Sequence, residues 1–149
     1  MPQIEKDYVS SGKVKYVVKD FPLEAIHKNA FKAAEATHCA GEQDKYWEMY
    51  NLLFANMQKL NPTDMPGHAE AVGLDVGKFQ ECMDSGKYAA RVRKDMSDGQ
   101  QAGVTGTPAF FIGVTDPKDG KIKALRTIKG AQQFAGFKEA IDSLLAEQK

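Results

Sequence analysis

The spacing of hydrophobic positions changes character twice along this chain. Residues 2–9 read as the end of a helix, with Ile4 and Tyr8 one turn apart on the same face, and Ser10-Ser11-Gly12 closes it. Val14-Lys15-Tyr16-Val17-Val18 is β-branched and aromatic and stops at Asp20-Phe21-Pro22, which predicts a short strand with one buried face. From Leu23 to Gly103 the pattern is helical, broken at residues 61–67 and again near Gly73 and Ser85-Gly86. After Pro108 the period shortens. Ala109 to Val114 and Ala124 to Ile128 predict two strands, joined through Asp116-Pro117-Lys118-Asp119-Gly120 as an antiparallel hairpin. Phe134, Phe137, Ile141, Leu144 and Leu145 then mark the apolar stripe of a closing helix.

Inside the helical stretch the small residues Ala30, Ala33, Ala34 and Ala36 lead with Phe31 towards Cys39. The next helix places Tyr46, Tyr50, Leu53, Phe54 and Met57 on one side with Trp47 beside them. Helix-spaced aromatics of this kind are expected in the core; the competing reading is a hydrophobic groove for peptides. Asp75 is placed to cap a helix bearing Phe79, Cys82 and Met83, and Tyr88, Val92 and Met96 recur every fourth residue on the helix that follows.

Composition narrows the chemistry. The 149 residues suit one domain, and 20 basic side chains balance 20 acidic ones, so no basic face points to nucleic acid or anionic lipid. The polar opening, residues 1–7, lacks the apolar stretch of a signal peptide, and no later apolar run is long enough to span a bilayer. Nothing implies a cofactor. His27, His38 and His68 do not make a metal site with the cysteines: His38 and Cys39 are adjacent on a helix and point about 100° apart, so surface or capping histidines are expected. Cys39 and Cys82 are too far apart in sequence for a redox or zinc motif of short spacing. They read either as two buried thiols or as a disulfide, whose loop of about 43 residues would contribute roughly 4 kcal/mol.

Four motifs in order carry a family resemblance: Lys19-Asp20-Phe21-Pro22-Leu23, Cys39-Ala40-Gly41-Glu42-Gln43 before Tyr46-Trp47, Cys82-Met83-Asp84-Ser85-Gly86-Lys87-Tyr88, and Gly103-Val104-Thr105-Gly106-Thr107-Pro108. With them, essentially the whole chain resembles the DsbA-like branch of the thioredoxin superfamily, the thiol:disulfide oxidoreductases. The resemblance implies an α/β thioredoxin-like fold, residues 1–22 and 104–149, around a helical insertion, residues 23–103. It implies a cis-proline at Pro108, preceded by Thr107 whose backbone pairs with an extended substrate segment. It also implies protein or peptide thiols and disulfides as partners and an extracytoplasmic, periplasmic setting.

The departure from that pattern is that no Cys-x-x-Cys occurs. In the family that motif opens the helix whose tail is residues 1–9 here, so the sequence reads as N-terminally truncated, lacking the first central strand and the catalytic dithiol. Cys39 and Cys82 are then expected as structural thiols or a structural disulfide. Losing a central strand of about five residues forfeits hydrogen bonds of about 1 kcal/mol each and apolar burial of about 1.5–3 kcal/mol per side chain. Marginal stability, and self-association through unpaired sheet edges, are therefore expected. The competing functions are a redox-dead thioredoxin-fold module that binds extended peptides, and the glutathione-dependent isomerase and transferase branch of the same fold.

Overall fold

The computed structural model describes residues 2–116, 118 and 120–147. The chain forms two units: one from Lys19 to Gly103, the other from the residues up to Val18 together with those from Val104 onward.

The Lys19–Gly103 unit is helical. Helix α2 (Ala30–Gly41) presents the small side chains of Ala36 and Ala40, both without exposed surface, which lets helix α3 (Tyr46–Ala55) close against it. Met49 and Leu53 are the α3 residues that reach the core, where they join Met65, Ala69, Leu74, Phe79 and the two cysteines. The break read at residues 61–67 is shorter than the sequence suggested. Pro62–Asp64 is a single 3₁₀ turn with a reciprocal Asn61–Asp64 capping box, and helix α4 (Met65–Ala71) begins directly after it. Pro66 is tolerated because it lies in the first turn, where its missing N–H has no intrahelical partner to lose. Helix α5 (Val76–Ser85) starts on Asp75, whose carboxylate accepts from the Lys78 amide at 3.0 Å, and ends on Gly86 at φ +61°. Helix α6 (Ala89–Gln101) follows, with Val92 and Asp95 buried.

The aromatic positions of α3 correct the expectation of a core-facing stripe. Phe54 is 60% exposed and Met57 64%, and Trp47 is exposed as well, while Met49 takes the core position. The core side of α2 is built from alanines and leaves room for one row of large α3 side chains, Met49 and Leu53, so the neighbouring row turns outward.

The other unit contains α1 (Pro2–Ile4), continued by one π-helical turn (Glu5–Val9), then β1 (Ala109–Thr115), β2 (Ile122–Lys129) and α7 (Phe134–Glu147). Ile4, Tyr8, Phe137 and Ile141 form its buried centre, with Phe110, Ile112 and Ile128 of the sheet packed against them. Strands β1 and β2 pair antiparallel, from Ala109 opposite Lys129 to Thr115 opposite Ile122. The register shifts between Ile112 and Gly113, leaving Leu125 as the extra residue on β2. Gly113 is required at that bulge, since a Cβ there would lie 2.0 Å from the Lys123 carbonyl oxygen. The connecting turn is closed by the Asp116 amide donating to the Lys121 carbonyl at 2.8 Å; Pro117 and Asp119 lie outside the described residues.

Val14 to Val18, read as a strand, forms none. The described sheet has two strands, β1 and β2, and β-branched composition cannot make a strand without a neighbour to complete its ladder. The Val14 amide instead donates to the Tyr8 carbonyl at 3.2 Å, in the turn that ends the first helix.

The helical unit begins at Lys19, so Lys19 to Pro22, read as the close of the strand, sit with the helices. The cause is a set of side-chain bonds that draw Lys19 and Asp20 onto α2 and α6.

Candidate functional site

The turn before β1 is built from residues that loosen and then fix the backbone. Gly103, at φ +78°, receives the end of α6 by donating its amide to the Gln100 carbonyl at 3.0 Å. Thr107 and Pro108 are exposed, and the bond between them is cis. Pro108 lacks an amide hydrogen and so can open a strand without forfeiting a ladder donor. Its carbonyl accepts from the Gly130 amide at 2.8 Å, which carries the hairpin pairing one step past Ala109 and Lys129. Gly130 reaches that position at φ +75°. The turn thus offers an exposed backbone at the start of a strand anchored on one side by β2.

Cys39 on α2 and Cys82 on α5 are joined in a disulfide, S–S 2.04 Å and Cα–Cα 5.8 Å. They are 2% and 5% exposed, at the centre of the helical core. Of the two readings left open by sequence, the bonded one holds. Neither sulfur is a free thiol, so neither can attack a substrate disulfide while the bond is intact. The structure keeps these sulfurs and the Thr107–Pro108 turn in different units.

The histidines depart from expectation. His27 is exposed, whereas His38 and His68 are buried. His38 Nε2 lies 2.6 Å from Asp20 Oδ2, its ring stacked on Tyr88 and tilted against Tyr46. His68 Nε2 lies 2.7 Å from the Lys59 carbonyl, which places the donor proton on that nitrogen. Buried imidazoles are tolerated here because each has an acceptor. Among the described residues no three His, Cys, Asp or Glu side chains are grouped to hold a metal ion.

Sequence reasoning missed the buried acids. Asp95 accepts from Lys19 Nζ at 2.5 Å and from the Asp20 amide at 3.3 Å. Glu35 is 1% exposed and is ion-paired through Oε2 with Lys32 Nζ at 2.7 Å. The Lys19-Asp20-Phe21-Pro22-Leu23 motif was a signal, but the partners of Lys19 and Asp20 lie 18 and 75 or more residues away, beyond any local pattern. Burial, and then the Asp20 carboxylate, push the Tyr46 phenol up from its ordinary value. Burial, and then the hydrogen bond from its hydroxyl to Glu42, do the same for Tyr88.

Residues 1–143 match the family model described as thioredoxin. The fold is similar to the crystal structure of Wolbachia pipientis alpha-DsbA1, TM-score 0.80 at 26% identity, covering 98% of this chain and 75% of that one. A variant of the same protein carrying two substitutions gives 0.81 at 25% identity. Curated relatives include the Na(+)/H(+) antiporter NhaA 1 of Salinispora arenicola, 35% identical over 111 residues, and NhaA 3 of Salinispora tropica, 36% identical over 111 residues. Each match takes in 74% of this chain but 17% of the relative, so the chain spans about a sixth of their length. Among the described residues no helix is long and apolar enough to cross a membrane.

Proposed function

Because this chain belongs to the thioredoxin family and has the DsbA-like fold, we propose that it serves thiol–disulfide exchange on protein substrates, with the Thr107–Pro108 turn as the place where an extended substrate segment lies. The observation that carries this reading is likeness over almost the whole chain, helical unit included, rather than over one motif. An extended segment beside Thr107 would hydrogen-bond to exposed backbone, as in strand addition, and so be held with little regard to its sequence. Exchange requires a thiolate at the substrate disulfide: the thiolate attacks one sulfur, the other leaves as thiolate, and a mixed disulfide forms. Cys39 and Cys82 do not supply that thiolate, being bonded to each other in the core; their role is to staple α2 to α5. A stapling disulfide suits an oxidising, extracytoplasmic compartment.

The buried state of both cysteines favours a second reading, a redox-inactive module that binds extended peptides at the same turn. Titrating the labelled chain with an unstructured cysteine-containing peptide, oxidised or reduced, tests the shared part. Amide shifts confined to residues 105–111 are expected; saturation without shifts there would overturn the substrate-turn assignment. Insulin reduction tests the stapling role: no turnover by this chain is expected, and turnover that is lost when Cys39 and Cys82 are both replaced by Ala would overturn that role.

A further inference from the structure

Strand β1 has one edge paired and one open. Residues of an antiparallel pair alternate between facing the partner strand and facing away, and the Gly130 amide bonds to the Pro108 carbonyl. Phe110 and Ile112 therefore direct their backbone groups at β2, while Ala109 and Phe111 direct theirs out of the sheet. Among the described residues no third strand meets them. Residues 14–18 run over the same core: Val14 packs with Phe110 and Ile112 against Ile4, Tyr8, Phe137 and Ile141. Beyond β2 lies a cleft lined by Thr127, Lys129, Gln132 and Ala140, which leaves the β1 side for residues 14–18. Burial alternates along that segment, with Val14 and Val18 half-buried and Lys15 and Val17 exposed, the period of a strand with one face on a core. Two extended backbones thus cover one core without sharing a ladder.

We propose that the open edge of β1 docks an extended segment of a partner protein, which enters between β1 and residues 14–18 with apolar side chains turned onto the core and acidic ones on its other face. The amides and carbonyls of Ala109 and Phe111 offer hydrogen bonds that any extended backbone can meet, so side chains set the choice of partner. On the core side the walls are Val14, Phe110 and Ile112. On the other face Lys15 is exposed, as are Val17 and Phe111, and β1 carries no charged residue from Ala109 to Thr115. An acid across from Lys15 is the favourable cross-strand pair there. A second copy of this chain fits less well. Its β1 is already paired to β2 and cannot enter as a single strand, while its 14–18 segment and β2 would bring Lys15, Lys123, Arg126 and Lys129 to a wall that is already cationic. Docking of this kind involves no sulfur and stands apart from thiol–disulfide exchange.

Titrating the labelled whole chain with a cysteine-free peptide of about seven residues that alternates Val and Glu tests this. At saturation, hydrogen exchange of the Ala109 and Phe111 amides is expected to slow about tenfold, while Phe110 and Ile112, already bonded to β2, change little. The matching peptide of Val and Lys is expected to bind about threefold more weakly. Lys15→Glu, at an exposed side chain that leaves the core untouched, is expected to reverse that order. Protection confined to residues 105–107 would overturn the docking edge while leaving the Thr107–Pro108 turn as assigned. Unchanged exchange at Ala109 and Phe111, or equal binding of the two peptides by both chains, would overturn it as well. Protection that rises with the concentration of the chain alone would give the edge to a second copy instead of a partner protein.

Discussion

The two units of this protein solve the problem of burial in opposite ways. The helical unit encloses its core: eight buried side chains from four helices and a connecting loop surround a disulfide, and side chains cap the 3₁₀ turn at Pro62 and the start of α5. The hairpin unit gathers four buried side chains, Ile4, Tyr8, Phe137 and Ile141, against one face of a two-stranded sheet. Along β2 every position but Ile128 is exposed. A helix satisfies its own backbone and needs neighbours only for its apolar face, whereas a strand needs neighbours for both. Stability is therefore expected to be concentrated in the helical unit, and the hairpin unit is expected to open first.

Core truncation in the helical unit should have the largest effect. Phe79→Ala, at a side chain with no exposed surface, is expected to lower the unfolding free energy by about 4 kcal/mol in urea melts monitored by helical circular dichroism. Replacing Cys39 and Cys82 together by Ala is expected to cost up to about 4 kcal/mol in the same transition, from the freed 43-residue loop of the unfolded chain. If that variant instead lost only its hairpin signals, the assignment of stability to the helical unit would be wrong.

Smaller changes probe the hairpin unit. Gly113→Ala puts a methyl group into the Lys123 carbonyl and is expected to cost about 2 kcal/mol, visible as faster exchange of β1 and β2 amides with the helical unit unchanged. Tyr8→Phe removes the hydrogen bond from the Tyr8 hydroxyl to Asp142, 2.8 Å, and is expected to cost about 1 kcal/mol at neutral pH. The same residue sets an alkaline limit. Burial and the Asp142 carboxylate raise the Tyr8 phenol above its ordinary value, so folding favours the protonated form. That contribution is complete below the ordinary value of about 10 and is lost as pH rises through the raised one. Thermal melts from about pH 8 to 11 should therefore show a steeper alkaline decline in the native chain than in Tyr8→Phe.

Much of this architecture was legible in the residues themselves. Asp75 before Val76 gave the start of α5, Gly86 its end, and the run from Ala109 with the turn residues after Thr115 gave the hairpin, because caps, left-handed glycines and turn chemistry act within a few residues. The 3₁₀ turn and the immediate start of α4 were less visible, since Pro62 and Pro66 read as breakers until their positions in a first turn are known.

The sequence by itself determined that residues 23–103 are mainly helical, where α5 starts and ends, and that Thr107–Pro108 precedes a strand, because each of these depends on local backbone preference and side-chain size. Tertiary structure alone decided the rest. It chose Met49 over Phe54 and Met57 for the core, bonded Cys39 to Cys82, gave His38 to Asp20, and denied Val14–Val18 a strand. Those outcomes turn on partners distant in the chain: a side chain is buried, a thiol oxidised or a ladder completed only when another segment arrives to meet it.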